Sequence, residues 1–387
     1  MGLLRLLVLC ILATCCRTGS PPQEVLKSSP LLPRGCNDSD VLAIAGFALQ
    51  DVNKEQKDGY VLALNRVHDV WEHRQEGLGS LFYLTLDVVE SNCHVLSKKT
   101  GEDCGVLHGS VNVCCQAYGQ CKAMFYINQP RRVLYLPAYN CTLRPVSRRK
   151  LNDMCPDCPN PILTDGSDPS ILEAARESLA KYNNESTSKQ YSLVKVTRAS
   201  SQWVFDPTYF VEYLVKESPC TKSQASNCSF QSSDSVPIGL CKGSLTQGNS
   251  EKLVSVTCDF FTSQIQAPEG ENSAVKQGPA SLPKVEEHRK KNATSSKSSS
   301  QTAPTGSVQY LPDLDDEKPK DSQGKGPQEA FPVQLELTTN PQGDTLDVSF
   351  LGLKEEKLVV LPFPPKNQHS DKCPGPAQDA NPLILPP

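Results

Sequence analysis

The chain has 387 residues, enough for two or three domains of ordinary size, and 17 of them are cysteines. Its formal net charge is −4 with both signs mixed along the chain, a balance that speaks against nucleic acid or an anionic membrane as partner. No nucleophile–base pair, Gly-rich phosphate loop or HExxH occurs, so the chain is not expected to be an enzyme or to carry a cofactor or metal of its own.

At the N-terminus, Arg5 precedes an apolar run from Leu6 to Ala13 and then small residues from Thr14 to Ser20. This is the layout of a secretory signal peptide, with cleavage expected near Thr18. The run is too short to span a bilayer as a helix and no other apolar stretch reaches that length, so the mature protein is expected to be secreted and free of the membrane. Cys10, Cys15 and Cys16 fall in the signal, and 14 of the 17 cysteines remain. An even, high count behind a signal argues for disulfides formed in an oxidising compartment. Five sequons, at Asn37, Asn140, Asn184, Asn227 and Asn292, are N-glycan acceptors if exposed.

The chain then repeats itself. Val41-Leu42, Ala45, Leu49 and Asn53 match Ile171-Leu172, Ala175, Leu179 and Asn183 in spacing. Apolar residues three or four apart predict an amphipathic helix in each copy. Asp38 and Asp40, and Asp168 in the second copy, stand where N-caps belong, and Pro169 suits a first turn. Strand-like stretches follow in the same order: Tyr60 to Val67 and Leu81 to Val89, then Tyr191 to Thr197 and Tyr209 to Val215. Each pair ends in Glu-Ser-x-Cys and is followed by three matching cysteines, Cys104, Cys121 and Cys141 or Cys228, Cys241 and Cys258, around a last strand, Val133 to Ala138 or Leu253 to Thr257. The predicted fold is α+β: in each copy, one helix wrapped by a four-stranded antiparallel sheet. Neighbouring cysteines are expected to pair, Cys93 with Cys104, Cys121 with Cys141, Cys220 with Cys228 and Cys241 with Cys258, although spacing alone fixes no connectivity. Cys114 and Cys115 form an adjacent pair in an inserted-looking stretch from Leu107 to Gln116, with several possible partners.

From Gln264 onward Pro, Gly, Ser, Gln and charged residues dominate, a composition that cannot bury enough apolar surface to offset chain entropy, so this region is expected to be mostly disordered. Val333 to Leu337 and Thr345 to Leu353 alternate apolar and polar residues and are its candidate strands. The predicted organisation is a signal at 1–18, copy one at 19–150, a linker at 151–162, copy two at 163–263 and a tail at 264–387.

One helix, a strand meander and two consecutive disulfides resemble a secreted cystatin, and two such domains with a Pro-rich tail resemble the fetuin family of plasma glycoproteins. The resemblance runs from Cys36 to about Phe261 and through the tail to Cys373. It implies a Cys36–Cys373 bond that folds the tail back onto copy one. Within the family, Cys155-Pro156-Asp157-Cys158-Pro159 resembles the linker of a branch known to inhibit astacin-type zinc endopeptidases, including one that hardens the egg coat. That implies a role in protecting the egg coat before fertilisation.

The linker chemistry is also readable from its residues. A Cys155–Cys158 bond would close a very small loop, and Pro156 presets φ for a tight turn. Asp157 would then stand at the tip with little freedom to lose on binding. A catalytic zinc accepts an Asp oxygen in place of its water, which would remove the protease's nucleophile. The rival readings are a redox CxxC, which lacks a thioredoxin-like setting, a zinc ribbon, which lacks a second CxxC, and a purely structural staple.

In copy two, Gln202-Trp203-Val204-Phe205-Asp206-Pro207 stands at the place of the Gln-x-Val-x-Gly hairpin by which cystatins block papain-like proteases, with Asp206 replacing the glycine. Trp203 and Phe205 are large enough to anchor a partner, or else are strand residues packed on the helix. Copy one, around Arg66 to Trp71, lacks the motif. His68 and His73 are expected on a loop. Arg148-Arg149-Lys150 and the acidic run Asp313 to Glu317 read as solvated charge. The readings are therefore a monomeric inhibitor of astacin-type zinc metalloproteases, a mineral carrier like other fetuins, for which the strand Leu81 to Val89 offers only Asp87 as an acidic ligand, or a cystatin-type cysteine-protease inhibitor.

Overall fold

Both predicted helices form, and each buries most of the stripe that its spacing set out, Leu42 alone of the matched apolar residues staying exposed. The computed structural model describes residues 30–100, 104–105, 117–154, 162–187, 189–203, 205–218, 236–248, 251–261, 304–313, 331–352, 357–365 and 368–381. Helix α1 (Ser39–Glu55) buries Val41, Ile44, Ala45, Ala48, Leu49 and Val52. A short helix, α2 (Arg148–Met154), follows copy one. Helix α3 (Pro169–Glu185) buries Ile171, Ala174, Ala175, Ser178 and Leu179. Asp168 caps α3 by accepting from the Ser170 N–H at 2.8 Å. Asp38 occupies the same place before α1, but its carboxylate accepts from the Gly35 N–H at 3.2 Å and caps no helical N–H. Asn53 and Asn183, matched in the repeat, do the same work. Each accepts from the N–H and donates to the C=O of one residue of the following strand, Leu62 or Tyr191. A helix end is thereby tied to the sheet that wraps it.

The sheet of copy one contains β1 (Leu32–Pro33), β2 (Tyr60–Gln75), β3 (Gly79–His94), β4 (Ala117–Asn128), β5 (Val133–Pro145) and a strand from the tail, β11 (Thr305–Tyr310). That of copy two contains β6 (Ile162–Leu163), β7 (Tyr191–Trp203), β8 (Pro207–Glu217), β9 (Gly239–Gln247) and β10 (Lys252–Phe260). Their orders are β1-β2-β3-β4-β5-β11 and β10-β9-β8-β7-β6. The expected four-stranded meander is the centre of each. Each also gains a two-residue strand that precedes the helix and pairs antiparallel on the outer edge of the first long strand. The first long strands carry register shifts at matching places, Leu64/Arg66 and Val67/Asp69 in β2, Leu193/Lys195 and Val196/Arg198 in β7. Such bulges bend a strand, and here they let the sheet curl round its helix.

Cys121–Cys141 and Cys241–Cys258 bridge directly opposed residues of the last two meander strands in each copy, with Cα atoms 4.0 Å apart. Cys93–Cys104 forms as expected, and so does Cys36–Cys373. Cys114, Cys115, Cys155, Cys158, Cys220 and Cys228 lie outside the described residues.

β2 is twice as long as its apolar core suggested. His68 and His73 therefore sit on a strand, not a loop, and the copy-one hairpin turns between Gln75 and Gly79 rather than near Arg66 to Trp71. The polar residues His73, Arg74 and Gln75 are held in the ladder by β3, opposite Leu81, Ser80 and Gly79.

The described part of the tail is built into copy one. β11 pairs parallel with β5. A hairpin, β12 (Asp344–Asp347) with β13 (Lys357–Val360), covers the sheet face turned away from α1. There Leu81, Tyr83, Met124, Tyr126 and Ala138 are buried together with Leu335, Val348 and Leu358. Val333 to Leu337 forms no strand, yet Val333 and Leu335 are buried, and of Thr345 to Gly352 only Thr345 to Asp347 is strand, Leu353 lying outside the described residues. The corresponding face of copy two is more polar around Phe210: Thr208 and Thr246 are hydrogen-bonded at 2.9 Å, and Ser244 and Ser255 at 2.6 Å.

Candidate functional site

Cys155, Pro156, Asp157, Cys158 and Pro159 lie outside the described residues, but both flanks of the linker are described. On the copy-one side, α2 packs Leu151 against Val89, Tyr118 and Val146. On the copy-two side, Ile162 pairs with Ser201 and Leu163 with Ser200 on β7. The linker therefore rejoins the fold two residues from Trp203.

At that end of copy two, β7 and β8 turn tightly, with Trp203 opposite Pro207. Trp203 is 75% exposed and Phe205 93%, so neither packs on the helix. Gln202 is half-buried beside them, and Val204 lies outside the described residues. The β9–β10 hairpin ends at the same place, because Leu253, Thr246 and Thr208 share one cross-strand row. Leu253 is 72% exposed and Ile162 48%. Four large apolar side chains thus stand in water at one end of a domain, beside the linker, an arrangement that marks a contact surface. Leu253 and Ile162 were not singled out in the sequence. A hairpin tip beside a strand that ends at the linker was the signal available for them. In copy one the equivalent hairpin is occupied: the Gln75 side chain donates to the Val359 C=O at 2.9 Å and accepts from its N–H at 2.8 Å.

The two copies meet at a buried charged joint. Arg198 on β7 donates to Glu90 on β3, lies 3.3 Å from the ring centre of Tyr60, and has a second nitrogen 3.8 Å from Glu212. Tyr60 donates to Glu212, and Lys242 pairs with the same carboxylate at 2.9 Å. Burial alone would push the Glu212 carboxyl up, but the charges of Arg198 and Lys242 and the Tyr60 hydroxyl outweigh it and hold the pKa low. Burial opposes the charge on Arg198, yet Glu90 and its neighbours keep its pKa above the ordinary value. Leu214 and Leu240 pack on Tyr60 beside this cluster, and Lys195 reaches Asp58 at its rim.

The other candidates resolve as structure. Asp87 is 1% exposed and is engaged by Arg66, His68 and Gln120, which hold its pKa low against burial. It is therefore closed to mineral. Among the described residues no group of three metal-ligating side chains occurs. Asp313, read as solvated, is 5% exposed. Arg149 lies exposed on α2. Asn37 and Asn184 are exposed, whereas Asn140 donates to the Gln334 C=O at 2.8 Å. Asn227 and Asn292 lie outside the described residues.

The cystatin domain family matches residues 32–128 and 158–248. Over 389 residues the chain is 68% identical to human fetuin-B, covering all of both chains. Among solved structures it is similar to mouse fetuin-B in complex with crayfish astacin, at 57% identity and TM-score 0.73, over 93% of this chain and 98% of that one. It is likewise similar to mouse fetuin-B in an inhibitory complex with human meprin beta, at 57% identity and TM-score 0.71, over 92% and 99%.

Proposed function

Because the chain belongs to the fetuin-B family of proteins with two cystatin domains, we propose that it is a secreted, non-enzymatic inhibitor of astacin-type zinc metalloproteases. The Cys155–Pro159 linker enters the active-site cleft, Asp157 takes the place of the zinc-bound water, and the hairpin end of copy two fills one side of the cleft. The observation that carries this reading is the cluster of Trp203, Phe205, Leu253 and Ile162, exposed beside the point where the linker rejoins the fold. Exposed aromatic anchors beside the linker's point of return suit a wedge made of both. The loop supplies a ligand for the metal, and the anchors supply apolar area.

The relatives' complexes with crayfish astacin and human meprin beta support the same class of partner. No helix among the described residues is long and apolar enough to cross a membrane. Protection of the egg coat before fertilisation is the role that the family resemblance implies. The mineral-carrier reading is weakened by the internal engagement of Asp87. The cysteine-protease reading is weakened by Asp206, a bulky charged residue where the hairpin of inhibitory cystatins has glycine.

The test is titration of an astacin-type protease with the wild type and with Asp157→Ala. Inhibition lost in the variant, with secretion and thermal unfolding unchanged, is the expected result. Inhibition that survives the substitution would end the zinc-ligand mechanism.

A further inference from the structure

The linker's two ends belong to different domains, so the distance between them is fixed only as firmly as the domains are fixed to each other. One ion pair stands in a position to set it. Glu90 follows Val89, which packs against Leu151 of α2, the helix from which the linker departs. Arg198 lies on β7, three residues before Ser201, which pairs with Ile162 where the linker returns. The Glu90–Arg198 bond therefore joins the strand that anchors the linker's departure to the strand that anchors its return. Both side chains are almost out of water, at 3% and 9% exposure.

The tail completes the arrangement. Tyr310, the last residue of β11, donates to Glu90 Oε1 at 2.6 Å, while the Ala117 N–H donates to Oε2 at 3.2 Å. Glu90 is thereby aimed at Arg198 from two sides. The hydroxyl that does half of this comes from a segment 220 residues further along the chain. Burial and the adjacent Glu90 charge raise the Tyr310 pKa, so it stays a donor at any physiological pH.

We propose that Glu90, Arg198 and Tyr310 form a brace that fixes where the linker's two flanks stand relative to each other, which makes the tail strand β11 a working part of the inhibitor rather than an appendage. They are positioning residues, and the proposal rests on the linker being the inhibitory element. A loop whose ends are held loses less freedom on entering a cleft, so affinity depends on the brace even though none of its members need touch the protease.

The test uses the full-length secreted chain and an astacin-type protease. Tyr310→Phe removes one hydroxyl and keeps the ring, and Arg198→Met removes the ion pair. Expected are inhibition constants raised several-fold by the first and by about tenfold or more by the second, the scale that lost preorganisation carries. Arg198→Lys should restore part of the loss, and backbone amides around residues 162–163 and 200–201 should exchange faster in both weakened variants. Inhibition within twofold of wild type in Tyr310→Phe, with β11 still protected from exchange, would overturn the brace. That holds also if Arg198→Met fails to fold. Asp157→Ala run in parallel separates the two readings. If it inhibits like wild type, the linker mechanism is what fails. If it does not inhibit while Tyr310→Phe does so fully, only the brace fails.

Discussion

Trp203 and Phe205 carry the sharpest residue-level expectation. Each is mostly in water in the free protein, so truncation to alanine removes little that stabilises the fold. In a complex the same ring is desolvated, and aromatic anchors of that kind are worth about 2–4 kcal/mol. Trp203→Ala or Phe205→Ala should weaken inhibition by one to two orders of magnitude or more while shifting the unfolding temperature hardly at all. Kinetic titration beside a thermal melt checks both halves. A second expectation concerns pH. Burial lowers the His94 imidazole below its ordinary 6.5, and Asp58 offsets this only in part. The unfolded chain then takes up a proton near 6.5 that the folded chain refuses, so stability falls as pH drops through that value. Glu212 acts in the same direction further down. Its folded pKa lies below the ordinary 4.5, so its contribution is complete above 4.5 and is lost as pH falls through the folded value. Both groups sit at the joint. Acid unfolding followed from pH 7 to 3 should begin there, with hydrogen exchange at Tyr60 and Leu214 rising before exchange in the helix-facing cores.

At the scale of elements, the two copies solve one packing problem with different residues. Ala48 and Ala123 of copy one stand where copy two has Ser178 and Gly243. A Cβ on Gly243 would lie 2.4 Å from Ser178 Oγ, and that hydroxyl is already fixed by the Ala174 C=O at 2.7 Å and Tyr213 at 3.0 Å. Gly243→Ala should therefore destabilise copy two by about 1–3 kcal/mol through overpacking, and adding Ser178→Ala should recover only part of it, because the Ser178 Cβ itself would lie 2.6 Å from the new methyl. Chemical denaturation of the single and double variants measures the coupling. The helices were legible because their apolar spacing was complete and their partners lay nearby in the chain. Asn53 and Asn183 were legible as a match, though the work they do, bridging helix end to strand, was not. The far half of β2 read as loop because His73, Arg74 and Gln75 are polar. Pairing with β3, and with a tail residue 284 positions away, decides their state. The exposed tips were half legible. Trp203 and Phe205 stood out, while Leu253 and Ile162 required knowing that two hairpins and the linker end together.

Over the whole molecule, the difference between the copies is which sheet face needs a cover. Copy one presents Leu81, Tyr83, Met124 and Tyr126 outward, and the tail buries them. Copy two presents mainly serines and threonines, with Phe210 among them. Composition hid this, because the tail's few apolar residues are diluted among prolines and charges, and only the outward face of a distant sheet shows where they belong. The Cys36–Cys373 bond pins the far end of that cover. Replacing both cysteines with alanine should cost about 2–5 kcal/mol and expose the apolar face, seen as dye binding and early proteolysis after residue 330, with copy two unaffected. Inhibition by this mechanism turns most of all on the contact between Asp157 and a target's metal. An astacin-type protease with cobalt in place of zinc reports its coordination in the visible spectrum. Titration with the wild-type chain should change those bands in step with inhibition, and titration with Asp157→Ala should leave them as in the free enzyme. Inhibition by the wild type with the cobalt spectrum unchanged would contradict the account.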